Sequence, residues 1–322
     1  MTTKMTLTKP LKQAFSYLKP YLRWVILGVT LFFLAKALKD HAQEIAEIRI
    51  NATGWTILAI ALGVTLLAHI WSSWVWVWIF HHLKQPIANA WGIPVYLKTN
   101  IAKYIPGNIW HFYGRILAAK EVGISPEIAT VSVLLEPLLM AAAALIVALI
   151  GFQFIGWHKS SFLIWQILGL VIVLIAIHPR ILNPVIQKLG KAKKKSTGTV
   201  NLETSALKVK SYPLVPLMGE MCFVGLRGVG FLLTLLALGP IDPAQISLLF
   251  TAFSLAWVLG LIVPGAPGGM GVFEATALTI LGSTFSPPLM LATVALYRMI
   301  SILAETTAAG LASLYQVIVA KI

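Results

Sequence analysis

Eight apolar stretches divide the chain, at residues 22–39, 54–80, 127–151, 161–178, 213–238, 244–264, 268–283 and 289–318, and none alternates polar with apolar residues. A hydrocarbon core about 30 Å thick is crossed by about 20 apolar residues of helix. Barrel strands, by contrast, are about ten residues of alternating polarity. The pattern predicts an all-α polytopic membrane protein with about eight transmembrane helices. Of the 322 residues, 58% are apolar and 11% charged, which leaves no sequence for a soluble catalytic domain between the spans.

The formal net charge of +14 reports topology and not nucleic-acid binding, because the basic residues lie between apolar segments instead of interleaving with aromatics. With a cytoplasmic N-terminus, nineteen Lys and Arg fall on the inside. Only Lys36, Lys39, Arg49 and Lys159 fall outside, while Arg227 and Arg298 lie within spans. The positive-inside rule then predicts a multi-pass protein of the inner (plasma) membrane with both termini cytoplasmic. The basic start precedes an apolar run as in a signal peptide, but its length and the many later spans point to an uncleaved first helix.

Residues 1–21 are read as an amphipathic cytoplasmic segment, with Leu11, Phe15, Leu18 and Leu22 at helical spacing among Lys4, Lys9, Lys12 and Lys19. A solvated basic tail is the alternative. Residues 22–178 form a first four-helix half, 179–212 a basic cytoplasmic linker, and 213–322 a second four-helix half. Ile105-Pro106-Gly107 and Val263-Pro264-Gly265 each follow the second span of their half. If the halves repeat, an even span count relates them by an axis along the membrane normal. Trp71, Trp74 and Trp78 share one helix face near the end of the second span, as in an interfacial aromatic belt.

Two stretches do not read as ordinary spans. Residues 91–120 carry Lys98, Asn100, Lys103, Asn108, His111 and Arg115 between apolar residues, with Pro94 and Pro106-Gly107 as breaks. The expectation is a broken, partly re-entrant element at the cytoplasmic mouth, or else a hairpin lying at the interface. In the stretch 263–282, two prolines and four glycines within its first nine residues end the sixth span near Val263, and a short helix begins near Met270 to Val272. The Gly268, Gly269 and Gly271 turn feeding a helix N-terminus suits an anion. Glu274 is the competitor, since it can cap that helix itself.

Charged groups within the spans cost about 2.5 kcal/mol or more unless paired or hydrated. Glu136, Glu220, Arg227, Glu274, Arg298 and Glu305 are of this kind. Glu220 and Arg227, like Arg298 and Glu305, are seven residues apart and cannot close a short bridge on their own helix. Their partners are expected from other helices, either as structural ion pairs or as a pathway for a charged substrate. His81 and His82 lack an HExxH context, and Cys222 is the only cysteine. No metal site, catalytic residue or cofactor is therefore expected.

KYIPGNIWHFYGR at Lys103–Arg115 and VPGAPGGMGVFEA at Val263–Ala275 resemble the paired signatures of the lysylphosphatidylglycerol synthase transmembrane family, also called the flippase-like membrane domain. The resemblance extends over nearly the whole chain in span count, basic linker and motif order. It implies movement of lipids between leaflets. The bifunctional members add a large cytoplasmic aminoacyl-transfer domain, and this chain ends at Ile322 soon after its eighth apolar stretch, so synthase chemistry is not expected of it.

The expected function is that of a lipid translocase, not an enzyme. Lys103, Asn108 and Arg115 form the entrance, Gly268, Gly269 and Gly271 the helix break, and Glu136, Glu220, Arg227, Glu274, Arg298 and Glu305 the interior. The expected partner is a membrane lipid: an anionic or aminoacylated phospholipid, or a polyprenyl-linked lipid. A homo-oligomer or a lipid-synthesis partner is a further expectation, and nucleic acid is not one. The rival readings are a polyprenyl-phosphate-dependent membrane glycosyltransferase, suggested by Asp40, Glu44 and Glu47 in the first outer loop, and an accessory subunit of a lipid-modifying complex.

Overall fold

The computed structural model describes residues 39, 42–47, 49–105, 109–155, 161–185, 187, 188, 209, 211–263 and 267–319. Every regular element among them is helical. After a six-residue helix, Ala42–Glu47, the helices are α1 Ala52–His82, α2 Asn89–Asn100, α3 Trp110–Glu121, α4 Pro126–Ile155, α5 Ser161–Ala176, α6 Leu214–Leu238, α7 Ile246–Ile262, α8 Val272–Leu281 and α9 Pro287–Val319.

Five helices are long and apolar enough to cross a membrane: α1, α4, α6, α7 with the turn before it, and α9. A sixth crossing results if α5 and the helix Pro179–Val185, bent by 56° at their junction, count as one broken span. The expectation of about eight spans is therefore not met among the described residues. The N-terminal segment 1–21 and nearly all of the stretch 22–39 lie outside them. The stretch 268–283 contributes only ten helical residues, about 15 Å of rise against a core twice as thick.

Two sets of contacts define the ends of the bundle. At one, Asn51 opens α1 by accepting the Gly54 N–H at 2.7 Å, and Gly54 abuts the Ala237 carbonyl at the end of α6. Leu289 at the start of α9 packs near Gly239, and Gly151 of α4 presses on Ser247 and Thr251 of α7. At the other end, Lys98 donates to Gln316 at 2.5 Å. There Trp71 also donates to the Gly219 carbonyl at 2.8 Å. Asn183 and Val209 exchange two hydrogen bonds, tying this part of the expected linker down.

Two helical hairpins enter from these opposite ends. The first is α2 and α3, joined through a tight turn at Ile101–Tyr104. Pro94, expected to break this stretch, sits inside α2. It is tolerated because the carbonyl it leaves unpaired belongs to Ala90, exposed in the first turn. The second hairpin is α7 and α8, joined through the glycine turn. Its Gly268, Gly269 and Gly271 adopt φ of 58°, 71° and 85°, a region glycine enters without strain. The tips meet: a Cβ on Gly268 would stand 3.0 Å from the Tyr104 ring.

The order helix, hairpin, helix thus occurs twice, as α1, α2–α3, α4 and as α6, α7–α8, α9. The two units run in opposite directions, because their first helices α1 and α6 pack antiparallel, with Gly54 against the Ala237 carbonyl and Trp71 bonded to the Gly219 carbonyl. These units are not the halves 22–178 and 213–322 of the sequence reading, the first of which opens with the stretch 22–39, nearly all of it outside the described residues. Each hairpin packs on the other unit, α2 against α9 and α7 against α4.

Candidate functional site

Where the two tips meet, a cavity of about 290 Å³ opens, lined from both units. Lys103, Arg115, Arg227 and Arg298 bring cationic groups to its wall, and Glu136 and Glu305 bring carboxylates. Lys103 is placed by the 3₁₀ turn that follows α2, and its Nζ lies 2.6 Å from Glu305 Oε1. Arg115, on the face of α3 turned toward the core, pairs with Glu136 of α4. Tyr96 of α2 completes that cluster, donating to Glu136 Oε1 at 2.6 Å and contacting Ser72 Oγ at 2.6 Å. The Arg115 guanidinium also lies 3.7 Å from the centre of the Tyr96 ring.

The glycine turn is closed by Glu274. Its Oε2 accepts the Gly271 N–H and its Oε1 receives Arg298, whose Nη1 donates to the Gly268 carbonyl at 2.9 Å. The capping role foreseen for Glu274 is the one the structure contains. Gly268 and Gly269 line the cavity, but Gly271 does not. Gly269 also has a packing reason to be glycine, since a Cβ there would stand 3.1 Å from the Gly260 Cα.

Arg227 differs from the other three cations. It is 4% exposed, and no carboxylate bonds to it among the described residues. Its Nη1 lies 2.9 Å from His69 Nε2, its Nε has no acceptor, and its guanidinium lies 5.1 Å and 5.2 Å from the centres of the Trp257 and Tyr297 rings. A buried cation is costly unless it is paired. The wall therefore holds an unbalanced positive charge, beside the Trp257 and Tyr297 rings.

Of the residues singled out in the sequence, the cavity gathers Lys103, Arg115, Glu136, Arg227, Gly268, Gly269, Arg298 and Glu305, with Glu274 just behind Arg298. Glu136, Glu274, Arg298 and Glu305 each find an ion-pair partner on another element, whereas Arg227 and Glu220 find none among the described residues. Glu220 is fully buried outside the cavity wall, and neither of its oxygens has a partner among the described residues. Asn108 lies outside the described residues. Sequence reasoning missed His69, Tyr96, Tyr104, Trp257 and Tyr297. For His69 a signal existed, because an imidazole in mid-span is as anomalous as a carboxylate.

The family model described as Lysylphosphatidylglycerol synthase TM region matches residues 22–309. No curated protein matches the chain.

Proposed function

The chain belongs to the lysylphosphatidylglycerol synthase TM-region family, and on that premise we propose that it translocates a lipid whose headgroup carries an anionic phosphate. It is a multi-pass membrane protein. The headgroup enters the cavity between the hairpin tips while the acyl tails stay in hydrocarbon. The observation that carries this reading is Arg227, a buried cation without a carboxylate in a wall whose other cations are each paired. Crossing bare hydrocarbon strips a phosphate of all its hydrogen bonds, at a cost of many kcal/mol. Fixed guanidinium donors replace the lost water, and an arginine fork matches phosphate oxygens two at a time.

The function is transport and not catalysis. Both termini face the cytoplasm of an inner (plasma) membrane, in keeping with the placement of nineteen basic residues on one side. The test is translocation of tail-labelled phosphatidylglycerol in sealed proteoliposomes, read by a membrane-impermeant headgroup or label quencher. The wild-type protein should empty the far leaflet at least about tenfold faster than protein-free vesicles, and Arg227→Gln should lose most of that gain. A wild-type rate equal to that of empty vesicles would overturn the reading.

A further inference from the structure

One nitrogen in the cavity is claimed by two groups that cannot both have it. His69 Nε2 lies 2.9 Å from Arg227 Nη1 and 3.1 Å from Glu305 Oε1. A guanidinium only donates and a carboxylate only accepts. With Nε2 unprotonated and the ring proton on Nδ1, His69 accepts from Arg227 and meets Glu305 lone pair to lone pair. With Nε2 protonated, it donates to Glu305 and meets Arg227 N–H to N–H. The conflict has no escape into solvent, because His69, Arg227 and Glu305 are 3%, 4% and 2% exposed.

A second observation says which way the conflict resolves. Among the described residues, Arg227 Nε and Glu305 Oε2 are both buried without a hydrogen-bond partner, so each has unused bonding capacity. An anion arriving in the cavity offers Arg227 acceptors. Once Arg227 turns to it, the N–H to N–H clash at Nε2 is gone, and with Nδ1 keeping its own proton a second ring N–H, on Nε2, is accepted by Glu305 Oε1, 3.1 Å away.

We propose that the cavity takes up one proton on His69 together with each anionic headgroup, so that the lipid moves as a proton symport. The proposal rests on the reading of the cavity as a phosphate site. On the loading side, a proton from water bonds to Nε2 while the Arg227 N–H shifts from Nε2 to a phosphate oxygen. On the release side, Arg227 returns to Nε2, the N–H bond breaks and the proton leaves to water. No other bond forms or breaks. The singly charged phosphodiester and the proton cancel, so the net charge of a low-dielectric cavity stays constant through the cycle.

The charged groups facing His69 are Glu305 from α9, Arg227 from α6 and Lys103 from the turn after α2. The other ionisable residues of the wall are Tyr96 of α2, Tyr104 of the turn after it, His111 of α3, Tyr297 of α9 and the groups of the pairs Arg115–Glu136 and Arg298–Glu274. Glu220 of α6 lies within electrostatic reach of Glu136 and Arg115. Of all these, only His69 bridges a cation and a carboxylate through one atom among the described residues.

The experiment is titration calorimetry of the full chain in detergent with short-chain phosphatidylglycerol, in two buffers of equal pH and unequal ionisation heat. About one proton should be taken up per lipid by the wild-type protein near neutral pH, and none by His69→Gln. His81→Gln, outside the cavity wall, should keep the uptake. The linkage gives a second readout that needs no variant: because binding takes up a proton, the wild-type Kd should rise by up to about tenfold per pH unit on going alkaline. Lipid binding with no proton uptake and a flat pH profile would overturn the coupling and leave the translocation reading standing. Uptake undiminished in a folded His69→Gln would assign the proton elsewhere and overturn the role of His69. Failure of the wild-type protein to bind the lipid, or equal binding of inorganic phosphate, would overturn both the coupling and the lipid reading beneath it.

Discussion

Arg298 holds Glu274 through two nitrogens on one oxygen, with Nε at 3.0 Å and Nη2 at 2.5 Å from Oε1. The pair joins the middle of α9 to the first turn of α8. It is also part of the reason the glycine turn keeps its shape, since the same carboxylate caps Gly271 and the same guanidinium takes the Gly268 carbonyl.

A double-mutant cycle measures this clasp. Glu274→Gln and Arg298→Gln should each lower thermal stability in detergent, and the double variant should lose less than the sum. The expected coupling energy is on the order of 1–3 kcal/mol, as for directly bonded neighbours. Strict additivity would mean that the two side chains act independently.

Gly269→Ala should destabilise the fold by about 2 kcal/mol or more, through a left-handed dihedral and the backbone of Gly260 within 3.1 Å of the new methyl. Gly310→Ala is the control. Nothing lies within 4 Å of its Cβ position, and alanine in a helix interior should be neutral or stabilise by up to about 1 kcal/mol. The comparison is read from melting temperatures in one detergent.

Tyr96→Phe removes a buried hydroxyl that both Glu136 and Ser72 use. Leaving those groups short of a partner should cost about 1–3 kcal/mol. A Tm within error of the wild type would show that Arg115 alone satisfies Glu136.

Single cysteines test the direction of the two hairpins in a Cys222→Ser background. Asn51→Cys, Asp242→Cys and Ser283→Cys should label from one face of the membrane, and Lys84→Cys and Ser211→Cys from the other. Labelling of Asp242 and Ser283 from opposite faces would turn α7 and α8 into a single net crossing.

The spans were legible because burial in lipid demands apolarity, and α1, α4, α6 and α9 begin and end within a few residues of the expected places. In residues 268–283 the break and the short helix after it were legible from the glycines, but hydropathy, which registers apolarity and not length, still counted the stretch as a span. Gly268, Gly269 and Gly271 are apolar by composition, yet their left-handed backbone removes them from the helix and leaves α8 too short to cross. The list of ionisable residues found most of the cavity, since any charge placed in a span needs a reason to be there. Pairing was beyond the sequence. His69 and Arg227 are 158 positions apart, and no local pattern announces that they share a hydrogen bond.

The opposed run of the two helix–hairpin–helix units has a consequence for motion. When one architecture occurs twice upside down, the conformations of the two copies need not match, and exchanging them yields a second state facing the opposite way. For the translocation proposed above, that exchange would give one state open to each side of the membrane, with one hairpin yielding where the other closes and no new fold required.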